Sequence, residues 1–200
     1  IVFAEVSGSI QGDPNRKLST RPQMEKDEWQ KFCEKISELG KYLEDEGMPL
    51  AYHHHMGTVI ETQKDTERLI ENTHESVKLT LDTGHMLFAK GDSKSILQNY
   101  YERILHVHCK DIRKQVLEKS LKEDLSFRGA FLEGAFTVPG DGCIDYQPLF
   151  NVLKNNNYSG WLVVEAEQDP AKANPLEYAK IGYNYLTDTL KKSEIEIYKN

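Results

Sequence analysis

Seven histidines, at positions 53, 54, 55, 74, 85, 106 and 108, are spread unevenly along this chain. Six of them fall in three short clusters: Tyr52-His53-His54-His55, Asp82-Thr83-Gly84-His85 and Ile104-Leu105-His106-Val107-His108. Each cluster closes a short apolar run, and a further run ends in Val164-Glu165-Ala166-Glu167. Side chains alternate across a strand, so His53 and His55 share one face, as do His106 and His108, and Glu165 and Glu167. Where those faces converge, imidazoles meet the carboxylates of Asp82, Glu165 and Glu167. Carboxylate and imidazole together suit a borderline divalent ion such as Mn²⁺, Co²⁺, Fe²⁺ or Zn²⁺. The absence of thiolates argues against a structural zinc knot and for a catalytic site with open positions. Taken singly, any of these histidines is an ordinary core or surface residue. The constellation is what points to a site. A tag remnant is a poor reading of His53-His54-His55, which lies inside an apolar strand. Cys109 turns to the opposite face from His108 and is read as packing. Glu5, closing the first apolar run, is either a pocket carboxylate or a surface cap.

The elements that must carry these residues alternate between two periods. Strands are expected at Ile1–Val6, Pro49–His55, Val77–Asp82, Ile104–His108 and Trp161–Glu165. Between and after them, helices are expected at Asp27–Glu46, Lys64–His74, Lys94–Tyr101, Asp145–Leu153 and Pro175–Leu190, from apolar spacings of three or four. Gly8–Gln23 reads as a polar loop, and His85 stands on the loop after its strand. In the long segment Lys110–Gly142, the charged run Lys114–Asp124 is a solvated helix face, and Phe136–Gly142 an ordered turn. The Lys-rich tail after Leu190 is expected to fray.

Strict β/α alternation implies a parallel sheet with helices outside it, and six of the seven histidines then cluster at or beyond the strands' C-terminal ends, where such folds build active sites. A doubly wound sheet would normally carry a Gly-rich phosphate loop, and no GxGxxG or GxxxxGK[ST] occurs. The expectation is therefore an α/β chain forming the C-terminal five-eighths of a (β/α)8 TIM barrel, residues 1–200 being a single domain. A strand at the first residues predicts preceding N-terminal material. Five strands cannot close an eight-stranded barrel, so residues 1–200 alone are expected to be inactive.

Composition narrows the partners. The 200 residues are 38% hydrophobic and 28% charged, and 25 basic against 32 acidic residues give a net charge of −7. That balance disfavours a phosphate-backbone binder, including an endonuclease of abasic DNA on a barrel of this type. No apolar run approaches the ~20 residues of a membrane span, and no secretory signal is evident. Three cysteines without CxxC spacing argue against a disulfide framework, so a cytoplasmic location is expected.

The motifs Asp82-Thr83-Gly84-His85, His106-Val107-His108-Cys109-Lys110-Asp111, Val138-Pro139-Gly140-Asp141-Gly142 and Val164-Glu165 occur in the order seen in the xylose-isomerase-like (β/α)8 barrels, which the chain resembles from Ile1 to about Leu190. Tyr52–Thr58 and Trp161–Pro175 are similar to the myo-inosose-2 dehydratase branch of that family. The resemblance implies one divalent metal, Mn²⁺ or Co²⁺ first, on His53, Asp82, His108 and Glu165. His53 departs from the family pattern, an imidazole replacing a carboxylate, and His55 is its rival as ligand. The implied reaction is loss of water from scyllo-inosose, a cyclic polyol ketone, to a trihydroxycyclohexane dione. Glu165 or Glu167 would then be the base. His85 would be the acid, with His55 or Lys110 as alternatives. His55, His106 and Glu5 would contact substrate, and the Val138–Gly142 turn would cover the mouth. A homo-oligomer is left open. The competing readings are a sugar isomerase or epimerase of the same family, which the loss of the carboxylate at position 53 disfavours, and a non-catalytic metal- or polyol-binding relative.

Overall fold

Five short strands run side by side in chain order: β1 (Val2–Phe3), β2 (Leu50–His53), β3 (Val77–Asp82), β4 (Ile104–Cys109) and β7 (Leu162–Val164), every neighbouring pair parallel. The computed structural model describes residues 1–198. Strands added successively on one side, with no reversal of order, are the winding of a barrel wall and not of a doubly wound sheet. The helices α1 (Lys26–Asp45), α2 (Gln63–Asn72), α4 (Ser93–Tyr100), α7 (Gln147–Asn155) and α8 (Pro175–Lys192) connect or follow the strands.

Local sequence explains where these elements start. Glu25 and Glu28 form a reciprocal capping box at the head of α1, and Thr62 with Asp65 does the same for α2. Helix α1 then buries Trp29, Cys33, Ile36 and Gly40, a spacing of three and four that lays one stripe against β2 and β3. Further along the same outer face of the wall, Leu79, Leu81, Val107 and Cys109 pack with Ile96, Leu97, Phe150 and Leu186 from the outer helices. Cys109 is fully buried there, as its alternation from His108 requires.

Four features depart from the pattern read in the sequence. The first strand is only two residues long, because after Phe3 the chain turns and the Glu5 amide donates to the Tyr52 hydroxyl instead of continuing the ladder. His85 does not stand on a loop. It lies in a short helix, α3 (Thr83–Phe88), begun by the Asp82 side chain accepting the His85 N–H at 2.8 Å. The Lys110–Gly142 segment is built on a two-stranded ladder, in which β5 (Asp111–Ile112) pairs antiparallel with β6 (Phe136–Thr137) around α5 (Lys114–Glu123) and α6 (Phe127–Leu132), and it packs on Leu18, Met56 and Phe88. Finally, the start of the tail is packed: Ser193 is buried, Ile195 lies against the core and Lys154 pairs with Glu194 at 2.8 Å. Residues 199–200 lie outside the described residues. Among those described, no helix is long and apolar enough to cross a membrane.

Candidate active site

The C-terminal ends of β2, β3, β4 and β7 bring the chemistry-bearing residues to one edge of the sheet, and a register shift between β3 and β4 decides which of them face each other. Leu79 pairs with Ile104, but Thr80 pairs with His106, so Leu105 is an extra residue on β4. Laterally paired residues in a sheet share a face. The shift therefore sets Asp82 beside His108; an unbroken register would have set it beside Val107. Where β2 leaves the ladder, the His54 imidazole replaces a backbone acceptor, its Nε2 receiving the Asp82 N–H at 3.2 Å. Asp82 then serves two ends at once. Its Oδ1 caps α3, and its Oδ2 lies 3.7 Å from His53 Nε2, 3.6 Å from His108 Nδ1 and 3.3 Å from Lys110 Nζ.

His53, Asp82, His108 and Glu165 each offer one donor atom to a cluster no wider than 4.8 Å. His53 Nδ1 sits against the backbone carbonyl of His54, which can only accept, so the proton belongs on Nδ1 and the Nε2 lone pair faces the cluster. Asp82 Oδ2 and Glu165 Oε2 are buried and receive no hydrogen bond of proper geometry. Buried carboxylate oxygens without donors are costly unless a cation meets them. Together with two imidazoles, they make a donor set that fits one borderline divalent ion. Burial, opposed by Asp82, lowers the His53 pKa to about 4, leaving it neutral. Burial acts to lower His108 as well, but the Asp82 and Glu165 carboxylates, 3.6 and 2.9 Å from its Nδ1, prevail and raise it to about 9.

A second group adjoins the first. His55, His85 and Glu167 also bring their donor atoms within 4.8 Å of one another. Their separations are 3.5 Å from His55 Nε2 to Glu167 Oε1 and 3.2 Å from His85 Nε2 to Glu167 Oε2. Burial, reinforced by His55 and Lys110, holds the His85 pKa well below that of free imidazole. Burial would raise Glu167, yet the hydrogen bonds from His55 and His85 outweigh it and keep the carboxyl far below the usual carboxylate range.

Lys110 joins the two groups. It is fully buried, with Nζ 2.9 Å from His85 Nε2, 3.1 Å from Glu167 Oε2 and 3.3 Å from Glu165 Oε2. Burial disfavours its charge, but Asp82, Glu167 and Glu165 override that and raise its pKa, so the ammonium persists. Its backbone is clamped as firmly as its head. Thr83 Oγ1 accepts the Lys110 N–H at 3.1 Å, and the Tyr146 hydroxyl donates to the Lys110 carbonyl at 3.0 Å.

Not every expected residue arrives here. His106 belongs to neither group, although its ring lies 5.2 Å from that of His108. The Glu5 carboxylate accepts the Ser7 N–H at 2.6 Å, within its own turn. The Val138–Gly142 turn is closed by the Asp141 N–H donating to the Val138 carbonyl at 3.1 Å, and just after it Asp111 Oδ1 accepts the N–H groups of Cys143 and Ile144 at 2.9 Å each. Sequence reasoning missed His54 as a support, and also Gln11, whose side-chain amide is 2.7 Å from His55 Nδ1. Nothing in the irregular Gly8–Gln23 loop marks Gln11. The position of His54 on the opposite face of the strand from two clustered imidazoles was a usable signal.

A profile of the xylose isomerase-like TIM barrel family matches residues 3–189. Among curated proteins, the chain is 46% identical over 190 residues to an inosose dehydratase of Clostridium beijerinckii, covering 94% of this chain and 64% of that protein. It is 44% identical over 186 residues to the rhizopine catabolism protein MocC of Rhizobium meliloti, covering 93% of this chain and 57% of the relative. The chain thus spans less than two thirds of these relatives' length. Among solved structures, an IOLI protein with a bound zinc atom superposes with a TM-score of 0.64 at 21% identity, over 87% of this chain and 60% of its own. A probable 3-DHS dehydratase from Bacillus anthracis gives 0.64 at 18% identity, over 85% and 59%. At such identities, the structural matches establish the shared fold alone.

Proposed function

This chain belongs to the xylose isomerase-like TIM barrel family, and on that premise we propose that its site dehydrates inosose, a cyclic polyhydroxy ketone, to a trihydroxycyclohexane dione. One observation carries the reading beyond the names of relatives. A metal-type donor set and a neutral imidazole–carboxylate pair stand side by side, joined by a single buried ammonium.

His53, Asp82, His108 and Glu165 would hold the metal, with Mn²⁺ or Co²⁺ as the first candidates, and His55 falls to the neighbouring group. When bound, the ion supplies Lewis-acid stabilisation of the enolate that forms as the proton α to the ketone leaves. The rest of the work belongs to side chains. His85 is uncharged and able to accept that proton, and Glu167 beside it balances the imidazolium that results. The same imidazolium then returns the proton to the departing β-hydroxyl, because hydroxide is a poor leaving group. Carbon loses one proton and one hydroxide, water leaves, and the product enol becomes the 1,2-dione. Lys110 keeps Glu165 and Glu167 in place and presents positive charge toward the developing oxyanion.

The test is a metal-dependent ultraviolet assay for the enolised dione. Full-length protein, stripped with chelator and reloaded with Mn²⁺ or Co²⁺, should convert scyllo-inosose, and His85→Gln should keep its bound metal while losing at least ~10²-fold in kcat. Bound metal without product would refute the dehydratase reading, and turnover of ketohexoses instead would transfer the site to the isomerases and epimerases. Full kcat in metal-loaded His85→Gln would remove His85 from the proton path.

A further inference from the structure

We infer that the site is built for one divalent ion only, and that the Lys110 ammonium is the resident cation of a second, otherwise complete ligand group formed by His55, His85 and Glu167. The inference rests on the reading of His53, Asp82, His108 and Glu165 as the metal ligands.

The second group has what a cation site needs. Two imidazoles and a carboxylate converge within the same 4.8 Å as the first group. His55 Nδ1 is met by both the Gln11 side-chain amide at 2.7 Å and the Met56 carbonyl oxygen at 2.8 Å, which holds the ring with Nε2 directed toward Glu167. The group is nevertheless already served. Lys110 Nζ reaches both Glu167 Oε2 and His85 Nε2, at 3.1 and 2.9 Å, and a second ion would have to lie where that ammonium lies.

Charge balance points the same way. Across both groups, the three carboxylates of Asp82, Glu165 and Glu167 face the single ammonium of Lys110. Three carboxylates against one ammonium leave two negative charges, which one divalent ion neutralises. A second would leave an excess of two positive charges in a buried cluster. The ammonium is also tethered. Thr83 and Tyr146 fix its backbone, its side chain has no exposure, and Nζ lies 5.3 Å from the centre of the Phe136 ring. Its head group is thus enclosed where a second ion would have to lie.

Removing the ammonium should therefore create a metal site. Full-length protein, stripped and then saturated with Co²⁺ or Mn²⁺, is analysed for bound ions per chain by native mass spectrometry and by elemental analysis after desalting. Wild type should hold one ion. Lys110→Met, of similar length and uncharged, should hold two, and the double variant Lys110→Met, Glu167→Gln should return to one. Two ions in wild type, or one in a Lys110→Met protein with native circular dichroism, would overturn this inference and leave the dehydratase reading standing. No ion in wild type would overturn both. Lys110→Gln is carried in parallel in case the methionine variant does not fold, and the wild-type count is decisive by itself if it is two.

Discussion

Gly84 offers a way to move Lys110 without touching its charge. The residue sits in the first turn of α3, directly against the lysine stem: a Cβ placed there would meet Lys110 Cγ at 2.6 Å, Cδ at 2.9 Å and Cβ at 3.0 Å. Ordinary contact begins near 3.4 Å, so Gly84→Ala demands a recoil of about 0.8 Å from a side chain with no free volume around it. The backbone accepts alanine at this helical position, and helix propensity favours it by up to ~1 kcal/mol. Overpacking costs ~1–3 kcal/mol, so with the full propensity gain subtracted the net loss of stability is ~0–2 kcal/mol, at most about 8 °C in Tm for a chain of this size. The effect on rate should be larger. Lys110 Nζ sits 2.9–3.3 Å from four partners, and a displacement approaching 1 Å breaks most of those contacts at once. Misplacement on that scale costs up to ~10²-fold, equivalent to ~2.7 kcal/mol of transition-state stabilisation. Calorimetry and kcat/KM in the dione assay measure the two effects on one preparation. A Gly84→Ala protein retaining kcat/KM within threefold of wild type would refute the argument that the position of Lys110 governs catalysis.

Two further predictions concern the metal. His54→Phe deletes the side-chain acceptor of the Asp82 N–H and should weaken Mn²⁺ or Co²⁺ binding by ~10–100-fold in a calorimetric titration, whereas His54→Gln, which can still accept, should stay within a few-fold of wild type. Equal losses in both variants would mean that the imidazole only fills space. Chelator treatment should lower Tm reversibly, because an ion that binds only the folded chain adds ~2.7 kcal/mol at a hundredfold excess over Kd, or ~5–11 °C here. An unchanged melting curve after verified metal removal would contradict the assignment of Asp82 Oδ2 and Glu165 Oε2 as its ligands.

Much of this arrangement was legible in the sequence, for identifiable reasons. The strands carrying Tyr52–His55, Val77–Asp82 and Ile104–His108 are short runs with apolar residues on at least every second position, and each ends in histidine or aspartate, so both the wall and its functional edge were marked. Alternation was enough to pair Glu165 with Glu167 and to turn Cys109 away. What stayed hidden depended on partners far along the chain. Helix α3 spans six residues, too few to display a period, and exists because Asp82 caps it. The β5–β6 pair is two residues on each side and is held by an aspartate, Asp111, bonded to N–H groups some thirty positions away. The division of seven residues into two adjoining groups followed from distances that no spacing along the chain encodes.

The extra residue at Leu105 has a consequence of another kind. Because strand faces alternate, the same residues paired without that bulge would present Val107 beside Asp82 and turn both His106 and His108 toward the outer helices, with composition unchanged. The chemistry of this wall therefore depends on a phase as much as on residue identity, and a residue gained or lost in β4 without a compensating change in the bulge exchanges an ion-binding lining for an aliphatic one in a single event. Point substitutions can only erode such a site residue by residue. Length variation within a strand can install or abolish it whole, which makes short insertions and deletions near β4 the changes to look for wherever barrels of this type have acquired or lost a metal.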